Sequence, residues 1–132
     1  TLSSSSAASD VYKRQVLNRV RQPFNVNSLA LEAALSALGD QEFIRASVRV
    51  NDMGMAQIRS GLDKFNLKVI PSVGNFVSFD TGQSEIEVFN RLLSKGVIVR
   101  PIAEYGLPGF VRVTVGLEPE NARFLEALGE VL

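Results

Sequence analysis

Two short apolar runs constrain this chain most: Gly-Val-Ile-Val-Arg-Pro at 96–101 and Phe-Val-Arg-Val-Thr-Val-Gly at 110–116. Each is rich in β-branched residues and bounded by Gly or Pro, the pattern of a buried strand. Each also carries one arginine. A guanidinium inside such a run is costly unless an anion meets it. Strand alternation puts Arg112 on the face of Phe110 and Thr114, away from Val111, Val113 and Val115. It puts Arg100 on the face of Ile98. If the two strands pair, two guanidiniums converge on one face, where a small anionic ligand would bind.

The composition limits what chemistry can accompany that pair. The chain has no Cys and no His, which removes disulfides, thiol nucleophiles, Ser-His triads and the usual zinc sites. Reactive groups must come from Asp, Glu, Lys, Arg, Tyr, Ser or Thr, or from a cofactor held partly outside this chain. Fourteen basic residues balance fourteen acidic ones, so there is no basic footprint for nucleic acid. No run is long and apolar enough to span a membrane. With 132 residues, 45% of them apolar, one globular domain with a core is expected. The lack of Cys agrees with a cytoplasmic location.

Residues 1–15 differ from the rest. Their serine run has no apolar period, and 10–15 (Asp-Val-Tyr-Lys-Arg-Gln) resemble the translation of a sequencing-library adapter. This segment is expected to be a disordered, non-native tail, with the natural protein continuing upstream of Val16. Residues 16–20 read as the end of a helix, and Pro23 breaks the connector that follows. Asn27 or Ser28 caps a helix running to Leu38, with a small-residue face of Ala30, Ala33, Ala34 and Ala37. A long helix is expected over 41–65, with Phe43, Ile44, Val48, Met55, Ile58, Leu62 and Phe65 near helical spacing. A short extended run (67–70), a strand (75–79), a helix capped by Ser84 (85–95), the two arginine strands and a last helix opened by Pro119 complete the chain. The order implies an α+β fold: a three- to four-stranded, mostly antiparallel sheet with helices on one face, plus a long N-terminal helix.

Four stretches carry a family resemblance: 21–30 (Arg-Gln-Pro-Phe-Asn-Val-Asn-Ser-Leu-Ala), 71–77 (Pro-Ser-Val-Gly-Asn-Phe-Val), 96–101 with 105–108 (Tyr-Gly-Leu-Pro), and 110–116 with Glu120 and Asn121. In this order and spacing, residues 16–132 resemble the C-terminal part of the histidinol-phosphate aminotransferase family. The resemblance implies the small C-terminal domain of the aspartate-aminotransferase-like fold type I at 41–132. It implies the end of the large domain and a connecting helix at 16–40. It implies pyridoxal 5′-phosphate as cofactor, a small amino or phosphate substrate, histidine biosynthesis and a homodimer. Arg112 matches the arginine that grips the substrate α-carboxylate, and Arg100 a position that binds the phosphate of histidinol phosphate. Asn75 and Tyr105 match the edge of the site. The family's Schiff-base lysine, its aspartate partner for the pyridine nitrogen and its ring-stacking tyrosine have no counterpart here. Lys64, Lys68 and Lys95 lack the family's Ser-x-x-Lys context. The resemblance therefore implies no catalytic residue in this chain, which alone is expected to be inactive.

Plainer roles stand beside these. Arg112 would also satisfy itself by pairing with Glu118 or Glu120, and Arg100 by pointing to solvent. Tyr105 would pack in its loop, and Asp80, Glu85 and Glu87 would cap turns and helices. Sister class I/II aminotransferases and phosphothreonine decarboxylase share similar patterns. A free-standing α+β module holding a small anion is the other class of function.

Overall fold

The computed structural model describes residues 3–21, 24 and 26–132, with side chains from residue 11 onward. The expected break at Pro23 lies outside the described residues. Two compact units divide the chain at 1–41 and 42–132.

The first unit holds helices α1 (Ser3–Val20) and α2 (Ser28–Gly39). Disorder was the expectation for 1–15; of these, residues 3–15 lie in α1. Ala and long polar side chains suit a helix even without an apolar stripe, and residues 11–20 are all exposed. Asn27 caps α2, its side-chain oxygen accepting from the Ala30 N–H at 2.9 Å. α2 buries none of its residues.

The second unit is built on a four-stranded antiparallel sheet of order β1-β2-β4-β3. Its strands are β1 (Val69–Ile70), β2 (Phe76–Asp80), β3 (Arg100–Pro101) and β4 (Phe110–Thr114). Helices α3 (Gln41–Lys64), α4 (Glu85–Ser94) and α5 (Glu118–Val131) complete it. The α+β expectation of helices against a small antiparallel sheet holds. In register, Val77 faces Val113 and Phe79 faces Val111. All four are buried, in one cluster with Ile58 and Leu62 of α3, Val88 and Leu92 of α4, and Phe124 and Leu128 of α5. Phe79 and Phe124 meet at 6.1 Å between ring centroids.

Two local departures have physical causes. The first arginine run forms a strand only at Arg100–Pro101. Gly96 turns left-handed (φ +76°) after α4, and the Val97 N–H bonds back to the Leu92 carbonyl at 3.0 Å, so the ladder starts late. The apolar stripe of α3 is buried only in its second half: Met55, Ile58 and Leu62 lie in the core, while Phe43 and Val48 are exposed. Ser84 caps α4 as expected, accepting from the Glu87 N–H. Asn121, only 2% exposed, ties α5 to its neighbours. It accepts from the Gly116 N–H at 2.9 Å and donates to the Gly116 carbonyl (3.0 Å) and Gln57 Oε1 (3.1 Å).

The crossing of α3 over this junction needs a glycine. A Cβ on Gly54 would stand 2.5 Å from Val115 Cγ1, 2.8 Å from Asn121 Nδ2 and 3.1 Å from the Gly116 carbonyl oxygen. Gly54→Ala is expected to lower stability by about 1–2 kcal/mol, because overpacking outweighs the better helix propensity of Ala. Urea denaturation checks this; a midpoint at or above that of the parent chain contradicts the packing.

Candidate functional site

The same alternation that buries Val111 and Val113 turns Arg112 to the opposite face of the sheet, where it is half-buried. On that face the strands contribute Ile70, Phe76, Ser78, Asp80, Arg100, Phe110, Arg112 and Thr114. Arg112 has Ser78 in register on one side and Arg100 on the other. Ser78 is small, and the Arg112 guanidinium lies over the ring of Phe76, its diagonal neighbour, at 4.9 Å from the centroid. Diagonal pairs on one sheet face are within reach of an aromatic side chain. Among the described residues, no carboxylate or other acceptor meets the Arg112 side chain. Glu120 instead accepts from the Leu117 N–H at 2.7 Å. The structural ion pair with Glu118 or Glu120 does not form, and the guanidinium donors are available to an anion.

Arg100 is placed differently. It shares the face with Arg112, as alternation requires, but its Nη2 donates to Glu104 Oε1 at 2.7 Å and to the Tyr105 hydroxyl at 3.0 Å. Its guanidinium also lies 5.6 Å from the Tyr105 ring centroid. Two guanidiniums opposite each other on one face repel, and Glu104 neutralises one of them. The hydrogen bond from Arg100, reinforced by one from Tyr105, holds the Glu104 carboxyl below the usual glutamate range. The bond to Glu104 raises Arg100 in turn. Both side chains are more than half exposed, and exposed pairs of this kind exchange readily for another anion.

Turn chemistry sets this clamp. Residues Ala103–Tyr105 form one 3-10 turn, ended by Gly106 at φ +76°. The loop back to β4 is anchored at Gly109, whose N–H donates to Glu85 at 2.8 Å and whose carbonyl accepts from the Thr81 hydroxyl at 2.9 Å. Glu85 therefore serves the loop, and Asp80 caps its own turn by accepting from the Gly82 N–H at 3.0 Å.

Of the four residues expected at the site, the structure gathers Arg112, Arg100 and Tyr105. Asn75 falls by alternation on the other face, its carbonyl accepting from the Val115 N–H at 2.8 Å. It lines a groove of about 460 Å³ beside α3 with Phe43, Asn51 and Leu117. Two participants were given no site role by the sequence. Glu104 was legible as the acid four residues after Arg100; Phe76 depends on the β2–β4 register, which no local pattern reveals.

The chain's own residues do not fit the covalent hold that a pyridoxal cofactor needs. No lysine lies among the strand residues of the Arg112 face. Lys95 pairs with Glu130 between α4 and α5, Lys64 ends α3 and Lys68 precedes β1. Among the described residues there is no acidic cluster able to hold a metal, and no helix is long and apolar enough to cross a membrane.

Residues 6–128 match the model of a family described as aminotransferase class I and II. Histidinol-phosphate aminotransferase 2 of Pseudomonas fluorescens (strain Pf0-1) is 57% identical over 89% of this chain and 32% of its own length. Among solved structures, the histidinol-phosphate aminotransferase of Clostridium acetobutylicum superposes with a TM-score of 0.74 at 27% identity, covering 87% of this chain and 36% of that one. That of Sinorhizobium meliloti, solved in complex with pyridoxal-5′-phosphate, gives a TM-score of 0.72 at 25% identity, covering 89% and 33%. The chain thus spans about a third of the length of the curated relatives it matches.

The clamp predicts a pH response. The folded pKa of Glu104 lies below its unfolded value, so the pair's contribution is complete above the ordinary glutamate pKa and is lost as pH falls through the folded value. A carbon-detected NMR titration should show the Glu104 midpoint below that of a free glutamate. Arg100→Ala should raise it towards the ordinary value, and Tyr105→Phe should raise it less. An unchanged midpoint in Arg100→Ala contradicts the clamp.

Proposed function

The chain belongs to the class I and II aminotransferases, and from that premise we propose that it forms the anion-binding part of a histidinol-phosphate aminotransferase. The reaction is L-histidinol phosphate plus 2-oxoglutarate giving imidazole acetol phosphate plus L-glutamate, in histidine biosynthesis. One observation carries this reading: Arg112 presents a guanidinium with no protein acceptor among the described residues, on the same sheet face as a second arginine. The relatives' printed names support the substrate.

The two substrates put different anions into one site. Histidinol phosphate has a phosphate and no carboxylate; 2-oxoglutarate has two carboxylates. A planar guanidinium grips a carboxylate through two parallel hydrogen bonds, which is the role of Arg112. That grip fixes the substrate's reacting carbon relative to the cofactor. Arg100, held by an exposed carboxylate, exchanges Glu104 for the more highly charged phosphate. Tyr105 stays beside it as a hydroxyl partner. Pyridoxal 5′-phosphate supplies the electron sink when bound, held by groups outside this chain. Residues 41–132 act as the small domain, 16–40 as the connection to a large domain. The exposed leucines 29, 31, 35 and 38 of α2 support cover by such a domain, in a cytoplasmic homodimer.

A chimera tests this: the matching stretch of the Pseudomonas fluorescens enzyme is replaced by this chain. It should transaminate histidinol phosphate with 2-oxoglutarate. Arg112→Ala should lower kcat/KM for 2-oxoglutarate on the order of 10²–10³-fold, the loss of two charge-assisted hydrogen bonds. Arg112→Lys should recover little, since an ammonium lacks the fork. Arg100→Ala should raise KM for histidinol phosphate more than for 2-oxoglutarate. A chimera whose turnover survives Arg112→Ala contradicts the assignment.

A further inference from the structure

We propose that Phe76 is a positioning residue for Arg112, and that Gly74 seats it. The inference rests on the reading of Arg112 as the carboxylate-binding arginine. A bidentate grip needs the guanidinium plane held in one orientation, yet a long side chain on a half-covered face is free to rotate. Among the described residues, this guanidinium interacts only with the Phe76 ring, 4.9 Å from the centroid. Stacking constrains the plane while leaving the N–H donors to the ligand. A carboxylate in the same place would hold Arg112 equally well and occupy those donors. Ser78, in register with Arg112, is too small to displace the guanidinium from the ring.

The ring is itself held. A Cβ on Gly74 would stand 3.2 Å from Phe76 Cε1 and 3.5 Å from Cδ1, so the ring edge lies against the glycine. The turn carrying Gly74 is pinned from α3: Arg59 donates to the Ser72 carbonyl at 2.8 Å and Asn51 to the Gly74 carbonyl at 3.3 Å. Within the turn, the Gly74 N–H donates to Ser72 Oγ at 3.2 Å. A line of contacts therefore runs from α3 through the turn and the ring to the guanidinium. It gives the Pro-Ser-Val-Gly-Asn-Phe stretch a role at the site that does not depend on Asn75.

NMR on this chain tests the proposal, following the Arg112 Nε–Hε group and titrating with 2-oxoglutarate. In the parent chain this group should show a ring-current shift and restricted motion. Phe76→Leu, which keeps apolar volume, should lose both and bind 2-oxoglutarate about two- to fivefold more weakly, the range of an exposed cation–π contact. Phe76→Tyr should retain both. Gly74→Ala, which leaves both partners in place, should displace the ring and alter the Arg112 shift. Unchanged Arg112 motion and affinity in Phe76→Leu overturns the proposal. An Arg112 signal that 2-oxoglutarate never moves, with the Phe76→Leu effect on its motion intact, overturns the carboxylate reading instead.

Discussion

Everything at the site depends on a sheet whose two faces meet different surroundings. Burying Val77, Phe79, Val111 and Val113 against three helices contributes about 1.5–3 kcal/mol per side chain. Strand side chains alternate strictly, so a one-residue slip of β4 would bring Arg112 into that core and put the valines outside. The core thus enforces the register, and the register points Arg112 outward. The guanidinium needs no buried counter-charge, because the packing of its neighbours does the placing.

That placement creates a problem at the next strand. Arg100 stands opposite Arg112, and like charges in register repel. The structure resolves this within five residues of chain. The 3-10 turn after β3 returns Glu104 and Tyr105 to Arg100, leaving one neutralised arginine and one available arginine on the same face. The asymmetry suits the proposed function, in which one arginine takes a carboxylate and the other exchanges its partner for a phosphate. It uses an exposed carboxylate that an incoming anion can replace.

Much of this was legible in the sequence because alternation and capping are local rules. The parity of Arg112, the cap at Ser84, the opening of α5 at Pro119 and the α+β order all follow from spacing alone, and spacing narrows the cap of α2 to Asn27 or Ser28, of which the structure uses Asn27. The failures came where non-local geometry decides. The first arginine run has the composition of a strand, yet the left-handed turn at Gly96 spends its first residues leaving α4. Phe43 belongs by period to the stripe of α3, yet the sheet reaches only the later turns of that helix. The serine-rich start carries no pattern at all, and a helix needs none when its residues merely tolerate the conformation. Phe76 read as an ordinary strand residue, since only the β2–β4 register brings it under Arg112.

The central claim is that Arg112, which meets no protein acceptor among the described residues, is held ready for a carboxylate. A crystal structure of the chimera with maleate, a non-reactive dicarboxylate, tests it most directly. The account predicts two parallel N–H···O contacts from Arg112 to one carboxylate, with the guanidinium still over Phe76. Maleate bound away from Arg112, or Arg112 turned to a protein carboxylate, would contradict it.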